Sequence, residues 1–169
     1  MERTLIVLVE NSVGVLARVA GLFSARGFNI KSLSVGETED PEVSVMTIVV
    51  DEDERTAEQV RKQLSKLIET IKVRDITELP KVERELALLR VSITREKRAE
   101  VLQVVEIFKA KVVDVAHNSL VVEITGSSQK VEGFIELMKP YGIIEMARTG
   151  KVALERGLSL ETKDKKQND

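Results

Sequence analysis

The sequence contains no cysteine and no tryptophan, and only one histidine, one tyrosine and three prolines among 169 residues. Without cysteine there can be no disulfide, no thiolate zinc site and no cysteine nucleophile. No apolar run approaches the roughly 20 residues that a membrane-spanning helix requires. Strong charge of either sign is also missing: the formal net charge is −2, which gives no reason to expect nucleic acid or an anionic membrane as the main partner. There is no Walker loop, no G-x-G-x-x-G and no Asp-rich calcium loop. His117, the lone histidine, falls in an apparent hairpin turn and reads as a solvated turn residue. The acidic run Asp51-Glu52-Asp53-Glu54 precedes a helical pattern. Negative charge is favoured there by the helix dipole, so its reading is structural.

What remains is ordinary for a globular chain with a real core: 43% hydrophobic and 32% charged residues, enough for one domain or two small ones. Leu5 to Val9 is a short apolar run that fits a strand buried on both faces. Val15, Val19, Leu22 and Phe23 then recur at helical spacing, and Gly27 is the expected left-handed stop. Phe28 to Gly36 reads as a second strand whose alternation changes phase near Ser32, the mark of a bulge. Val43 to Val50 is a third strand, rich in β-branched residues. Thr56 with Gln59 resembles a capping box opening a helix that carries Val60, Leu64, Leu67, Ile68 and Ile71 on one face. Val73 and Ile76 belong to a fourth strand. The order is β-α-β-β-α-β.

After Leu79-Pro80 the order repeats: a strand at Leu86 to Ile93, a helix marked by Val101, Val104, Val105 and Phe108, and a strand at Val112 to Ala116. A returning strand at Leu120 to Ile124, a helix capped by Ser127 or Ser128, and a last strand at Ile143 to Ala147 follow. The expected fold is α+β, with two tandem ferredoxin-like βαββαβ domains. Boundaries are expected at 1–79 for the first domain, 80–84 for a linker, 85–160 for the second domain and 161–169 for a frayed tail. RNA-binding domains share this order but stack bases on strand aromatics. Here Phe23, Phe108 and Phe134 lie on helix stripes and Phe28 opens a strand, so that function is not supported. Two helices cover one face of each sheet. The strands are apolar enough that Ile6, Leu8, Ile48 and Val50, or their alternates, need cover, which points to burial against another copy of the module.

One turn could carry chemistry. Asn11 and Gly14 stand at the mouth of the first helix, where free backbone N–H groups and the helix dipole suit a small carboxylate. Taken locally, Asn11 reads as a helix cap and Gly14 as a turn residue. Asn29, just before Ile30 at the entry to the following strand, adds a second polar group. If two modules pair side by side, the turn of one copy can face the strand entry of the other and share a ligand.

The stretch NSVGVLARVAGLFSARGFNIKSLSVG, residues 11–36, resembles the opening of an ACT domain, the amino-acid-sensing module of biosynthetic regulation. More closely, it is similar to the regulatory small-subunit family of acetohydroxyacid synthase (acetolactate synthase). The likeness continues through Met46-Thr47-Ile48-Val49, Arg84-Glu85-Leu86-Ala87-Leu88, Phe108-Lys109-Ala110 and Gly150-Lys151-Val152-Ala153-Leu154. The resemblance implies a homodimer or higher homo-oligomer that binds a catalytic large subunit and is itself no enzyme. It implies feedback by valine, sometimes also leucine or isoleucine, in branched-chain amino acid biosynthesis. It implies no cofactor in this chain, with thiamine diphosphate, FAD and magnesium belonging to the catalytic partner. It implies a ligand site between paired N-terminal domains, with Asn11, Gly14, Val15 and Leu16 from one copy and Asn29 and Ile30 from the other. No catalytic and no metal residues are expected. In the second half Thr94-Arg95-Glu96-Lys97 replaces the glycine turn, so no equivalent site is expected there. The start of the chain lacks a signal-peptide layout, so a cytoplasmic location is expected. A free-standing tandem-ACT sensor acting on another enzyme or a transcription factor is the rival reading.

Overall fold

The computed structural model describes residues 1–157. The described chain divides into two compact units, one of residues 1–82 joined by the segment from Lys151 onward, the other of residues 83–150.

The first unit runs β1 (Glu2–Glu10), α1 (Val15–Ala25), β2 (Ile30–Glu37), β3 (Val43–Asp51), α2 (Glu54–Leu64) and β4 (Thr70–Asp75). Its sheet has the order β2-β3-β1-β4, with every neighbouring pair antiparallel. Register explains the core. Leu5 lies opposite Ile48 and Val7 opposite Met46. These side chains share one face with Val50 and pack against Val15, Val19, Phe23, Val60 and Leu64 of the two helices. Helix α1 ends as its sequence suggests. Gly27 takes φ +70, its N–H donates to the Ser24 carbonyl at 3.1 Å, and the Phe28 N–H donates to the Phe23 carbonyl at 3.0 Å. These are the paired bonds of a Schellman stop. The expected bulge is present too, as a register shift between Ile30 and Ser32.

Helix α2 departs from expectation at both ends. Its N-cap is Asp53, whose carboxylate accepts from the Thr56 N–H at 2.7 Å; the Thr56–Gln59 capping box does not form. The bond holds the Asp53 carboxyl below its ordinary pKa. The helix stops at Leu64, so Ile68 is 93% exposed and Ile71 belongs to β4.

The second unit follows the same plan with β5 (Lys81–Ser92), α3 (Arg98–Ile107), β6 (Lys111–Val115), β7 (Ser119–Gly126), α4 (Ser128–Met138), a 3₁₀ turn at Lys139–Tyr141 and β8 (Ile143–Arg148). Its sheet order is β6-β7-β5-β8. Ala87, Leu89, Val91, Val122 and Ile124 face Val101, Val131, Phe134 and Met138 in its core. Phe108 and Phe134 meet edge to face, with ring centroids 5.5 Å apart. Ser127 is the N-cap of α4 and accepts from the Lys130 N–H.

The domain boundaries need two corrections. The expected linker at 80–84 is largely strand, because β5 begins at Lys81. The second unit ends at Gly150 rather than at residue 160, and β9 (Val152–Glu155) groups with the first unit. The reason is a set of contacts on the first sheet's helix-free face. The Lys151 N–H donates to Ser32 Oγ at 3.0 Å, the Lys151 ammonium reaches Glu2 at 3.0 Å, and Glu155 pairs with Arg74. Ser32 lies on β2 and Arg74 on β4, so these contacts reach both edge strands. Ala153, midway, is 4% exposed. The cover expected from another copy is thus supplied in part by the chain itself. Ile48 and Val50 do not need it, since both face the helices; Thr4, Thr47 and Val49 on the opposite face are buried. The expected tail at 161–169 lies outside the described residues.

Glu2 is the electrostatic knot of this face. Hydrogen bonds from Lys31, first, and from Lys151 hold its carboxyl below the ordinary carboxylate range. A carboxyl depressed in the folded state contributes stability that is full above its unfolded pKa, about 4.3, and is lost as pH falls through the lower folded value. Acid titration followed by the signal of a probe on β9 should therefore show a loss of anchoring below about pH 4. The loss should be absent in Glu2→Gln, and an identical profile in that variant would refute the assignment.

Candidate functional site

The site is built where β1 hands over to α1. The Asn11 N–H donates to the Glu42 carbonyl at 2.7 Å, and the Ser12 N–H to the Glu10 carbonyl at 3.0 Å, which folds the turn back on the strand. Gly14 then takes φ +85 and forms the N-cap of α1 with no side-chain cap bond. A left-handed residue here is what glycine alone adopts without strain. The Arg18 N–H closes the first helical bond on the Gly14 carbonyl at 3.0 Å. The N–H groups of Leu16 and Ala17 have no acceptor among the described residues. They point out of the helix mouth, where partial positive charge accumulates.

Asn11 does not cap the helix. Its side-chain amide donates to Glu37 Oε1 at 3.0 Å and to the Pro41 carbonyl at 2.9 Å, tying the turn to the β2–β3 connection. The Val15 side chain is committed to the core at 4% exposure, so only its main chain borders the turn. Leu16 is 45% exposed. Asn29 is exposed and Ile30 half-buried, at the start of β2. Within one chain the two groups of residues are not brought together. Asn11 and Gly14 precede α1 and Val15 and Leu16 open it, whereas Asn29 and Ile30 lie beyond the far end of this 11-residue helix, which is about 16 Å long.

Two residues that sequence reasoning did not assign stand at the turn. The Arg18 guanidinium lies 3.2 Å from where a Gly14 Cβ would be. It donates to the Val13 carbonyl at 3.4 Å and pairs with Glu69 at 2.5 Å. Glu69 precedes β4, and its own carbonyl accepts from the Glu10 N–H at 2.8 Å. Arg18 follows Gly14 by four residues, which places it over the helix mouth. That spacing was the available signal. Glu69 is distant in sequence and had none.

Elsewhere, His117 sits between β6 and β7 and is exposed. No cluster of three or more His, Asp or Glu with metal-holding geometry occurs among the described residues. No helix among them is long and apolar enough to cross a membrane.

The fold and the glycine turn define the class: a tandem βαββαβ protein of the ACT type. Residues 5–72 match the family described as "AHAS small subunit-like ACT domain", and residues 84–157 match "Small subunit of acetolactate synthase". A "Probable acetolactate synthase small subunit" of Archaeoglobus fulgidus is 59% identical over 157 residues, covering 93% of this chain and 98% of that one. The acetolactate synthase small subunit of Bacillus subtilis is 49% identical over 158 residues, covering 93% and 92%. Among solved structures, the crystal structure of the acetolactate synthase small subunit from Thermotoga maritima matches with a TM-score of 0.85 and 45% identity, covering 92% of this chain and 98% of that one. The chain belongs to the acetolactate synthase small-subunit family.

Proposed function

We propose that this chain binds a catalytic large subunit of acetolactate synthase, raises its activity and makes it sensitive to valine, the end product of a branched-chain amino acid pathway. Family membership supports the regulatory role. The observation that carries the sensing role is the turn at Asn11–Gly14, whose left-handed glycine leaves the Leu16 and Ala17 amides open at the mouth of α1. Such a mouth holds a carboxylate. One chain supplies only half of an amino-acid site. The polar and apolar groups at Asn29 and Ile30 lie at the other end of α1, so a second copy placed along the β2 edge would bring its own Asn29 and Ile30 to the turn. Edge strand β2 is available for that pairing, with Val35 43% exposed. Leu16 and Ile30 would enclose the branched side chain, and the amides and Asn side chains would take the polar end. Ligand then favours one pairing geometry, by no more than its differential affinity for the two states. Thiamine diphosphate, FAD and magnesium would be held by the catalytic partner, in whose site the chemistry takes place.

The test combines calorimetry of the purified chain with valine, leucine and isoleucine, sedimentation with and without each, and acetolactate formation by the catalytic subunit with and without this chain. The expected result is saturable valine binding to a dimer or larger assembly, activation by the chain, and inhibition by valine only when the chain is present. A chain that binds none of the three and leaves the rate unchanged is incompatible with this function.

A further inference from the structure

We infer that the basic cavity between the C-terminal ends of α1 and α2 is where the catalytic large subunit docks, through an acidic segment that also covers Ile68. This rests on the regulatory reading above and names the surface through which that regulation acts. The cavity has a volume of about 540 Å³ and is lined by Arg26, Arg61, Lys62 and Lys66, with the amides Gln59 and Gln63 among them. Its lining is polar throughout, so it does not enclose a branched aliphatic effector. Each helix C-terminus carries about half a negative charge. Glu58 adds one more, held by Arg61 through two bonds of 2.7 Å. Together these offset only about half of the four cations. Glu58 also lies near Lys62, but no carboxylate among the described residues pairs with Arg26 or Lys66. A positive excess thus stands at one place on a chain whose formal net charge is −2.

The second observation is apolar. Ile68, two residues beyond Lys66, is 93% exposed. It is not on a loose loop: the Lys66 and Leu67 amides donate back to Gln63 and Leu64, and the Thr70 amide donates to Leu67. The turn therefore holds an isoleucine outward beside a cationic rim, the arrangement of an apolar contact ringed by charge. A small anion would leave Ile68 in water, whereas a protein segment covers both. A second copy is poorly matched to the cavity. Its own acidic run is Asp51 to Glu54, in which Asp51 holds the N-terminal amine and Asp53 caps α2. Position favours the large subunit. Arg26 is the C-cap of α1, in the stop that directs the chain into Asn29 and Ile30. A partner seated on Arg26 touches the same helix end that carries half of the proposed effector site.

The experiment titrates the catalytic large subunit with the full chain at low and high salt, reading acetolactate formation. Lys62→Glu combined with Lys66→Glu should raise the half-activating concentration by at least about tenfold and flatten its salt dependence. Ile68→Ser leaves every charge in place; it should raise that concentration by about tenfold, the scale for burying an aliphatic side chain, with its salt dependence kept. Arg55→Glu, the same charge reversal in the first turn of α2, should leave it unchanged. All these side chains are exposed, so melting temperatures should stay within a few degrees of the wild type. Unchanged half-activation in either the double variant or Ile68→Ser would overturn the inference, as would an equal loss in Arg55→Glu. Calorimetry with tripolyphosphate tests for a small-anion site: binding that the double variant loses, without competition against the large subunit, would overturn the docking role. So would a double variant that sediments as a smaller assembly than the wild type in the absence of the large subunit, since the cavity would then belong to a second copy. Each of these results leaves the regulatory function standing. A wild-type chain that does not activate the large subunit would overturn both.

Discussion

Gly14→Asp is expected to remove valine sensitivity while leaving the chain folded. Three effects act at this position, and they differ in sign between folding and binding. The backbone has φ +85, so any side chain costs about 1 kcal/mol of conformational strain. Negative charge at a helix N-terminus returns about 0.3–1 kcal/mol, which offsets most of that cost. Binding has no such compensation. The new carboxylate would project toward the Arg18 guanidinium, which stands within 3.2 Å of the added Cβ, and would put negative charge where the effector's own carboxylate is proposed to sit. Valine affinity should drop by at least about thirtyfold, equivalent to about 2 kcal/mol. The melting temperature should move by only a few degrees. Gly14→Ala is the control: it carries the strain without the charge and should lose much less affinity. The measurements are valine calorimetry and inhibition in the reconstituted holoenzyme. Full valine sensitivity in Gly14→Asp would place the carboxylate elsewhere.

The fold was legible because each element carries its own local signal. The apolar stripe of α1 ends at a glycine that takes the left-handed conformation, and the change of phase near Ser32 became a register shift. Errors arose where two local signals compete or where the deciding contact is distant. Asp53 and Thr56 are both good capping residues; Asp53 prevails because its carboxylate reaches the Thr56 N–H. Ile68 and Ile71 continue the helical spacing of α2, yet the chain turns at Ser65, and periodicity contains no information about a missing last turn. Strands apolar on both faces do not reveal which face meets the helices, so Ile48 and Val50 could not be placed from alternation. The segment after Gly150 has a plain alternating pattern, and only the long-range partners Ser32, Glu2 and Arg74 assign it to the first unit. At the candidate site, the glycine turn was readable from residue types. Asn11 was not, because its acceptors, Glu37 and the Pro41 carbonyl, lie on a different connection. A residue that looks like a cap thus serves as a tie between two loops.

Phe23→Ala should have the largest effect on stability. Phe23 is 1% exposed and stands in the last turns of α1 among the side chains of the first core. Removing a buried phenyl ring forfeits its transfer free energy and leaves a cavity that a packed core closes only in part, at a cost of about 3–5 kcal/mol. The consequence extends beyond the core, because Phe23 also anchors the end of α1. Its carbonyl accepts the Phe28 N–H in the Schellman stop that sets the direction of the chain into Asn29 and Ile30. Loosening α1 at this end therefore disturbs the second half of the proposed ligand site, while the Asn11–Gly14 turn at the other end keeps its local bonds. Hydrogen exchange should show amides of β1 and β3 losing protection by about two to four orders of magnitude, the same 3–5 kcal/mol read residue by residue. Valine affinity should fall as well, through the ordering cost now added to binding. The matching change in the second core, Phe134→Ala, removes the edge-to-face partner of Phe108 and should reduce protection in β5 and β7. A loss below about 1 kcal/mol in Phe23→Ala would mean that the first core relaxes around the missing ring, and that the end of α1 is held by its backbone bonds alone.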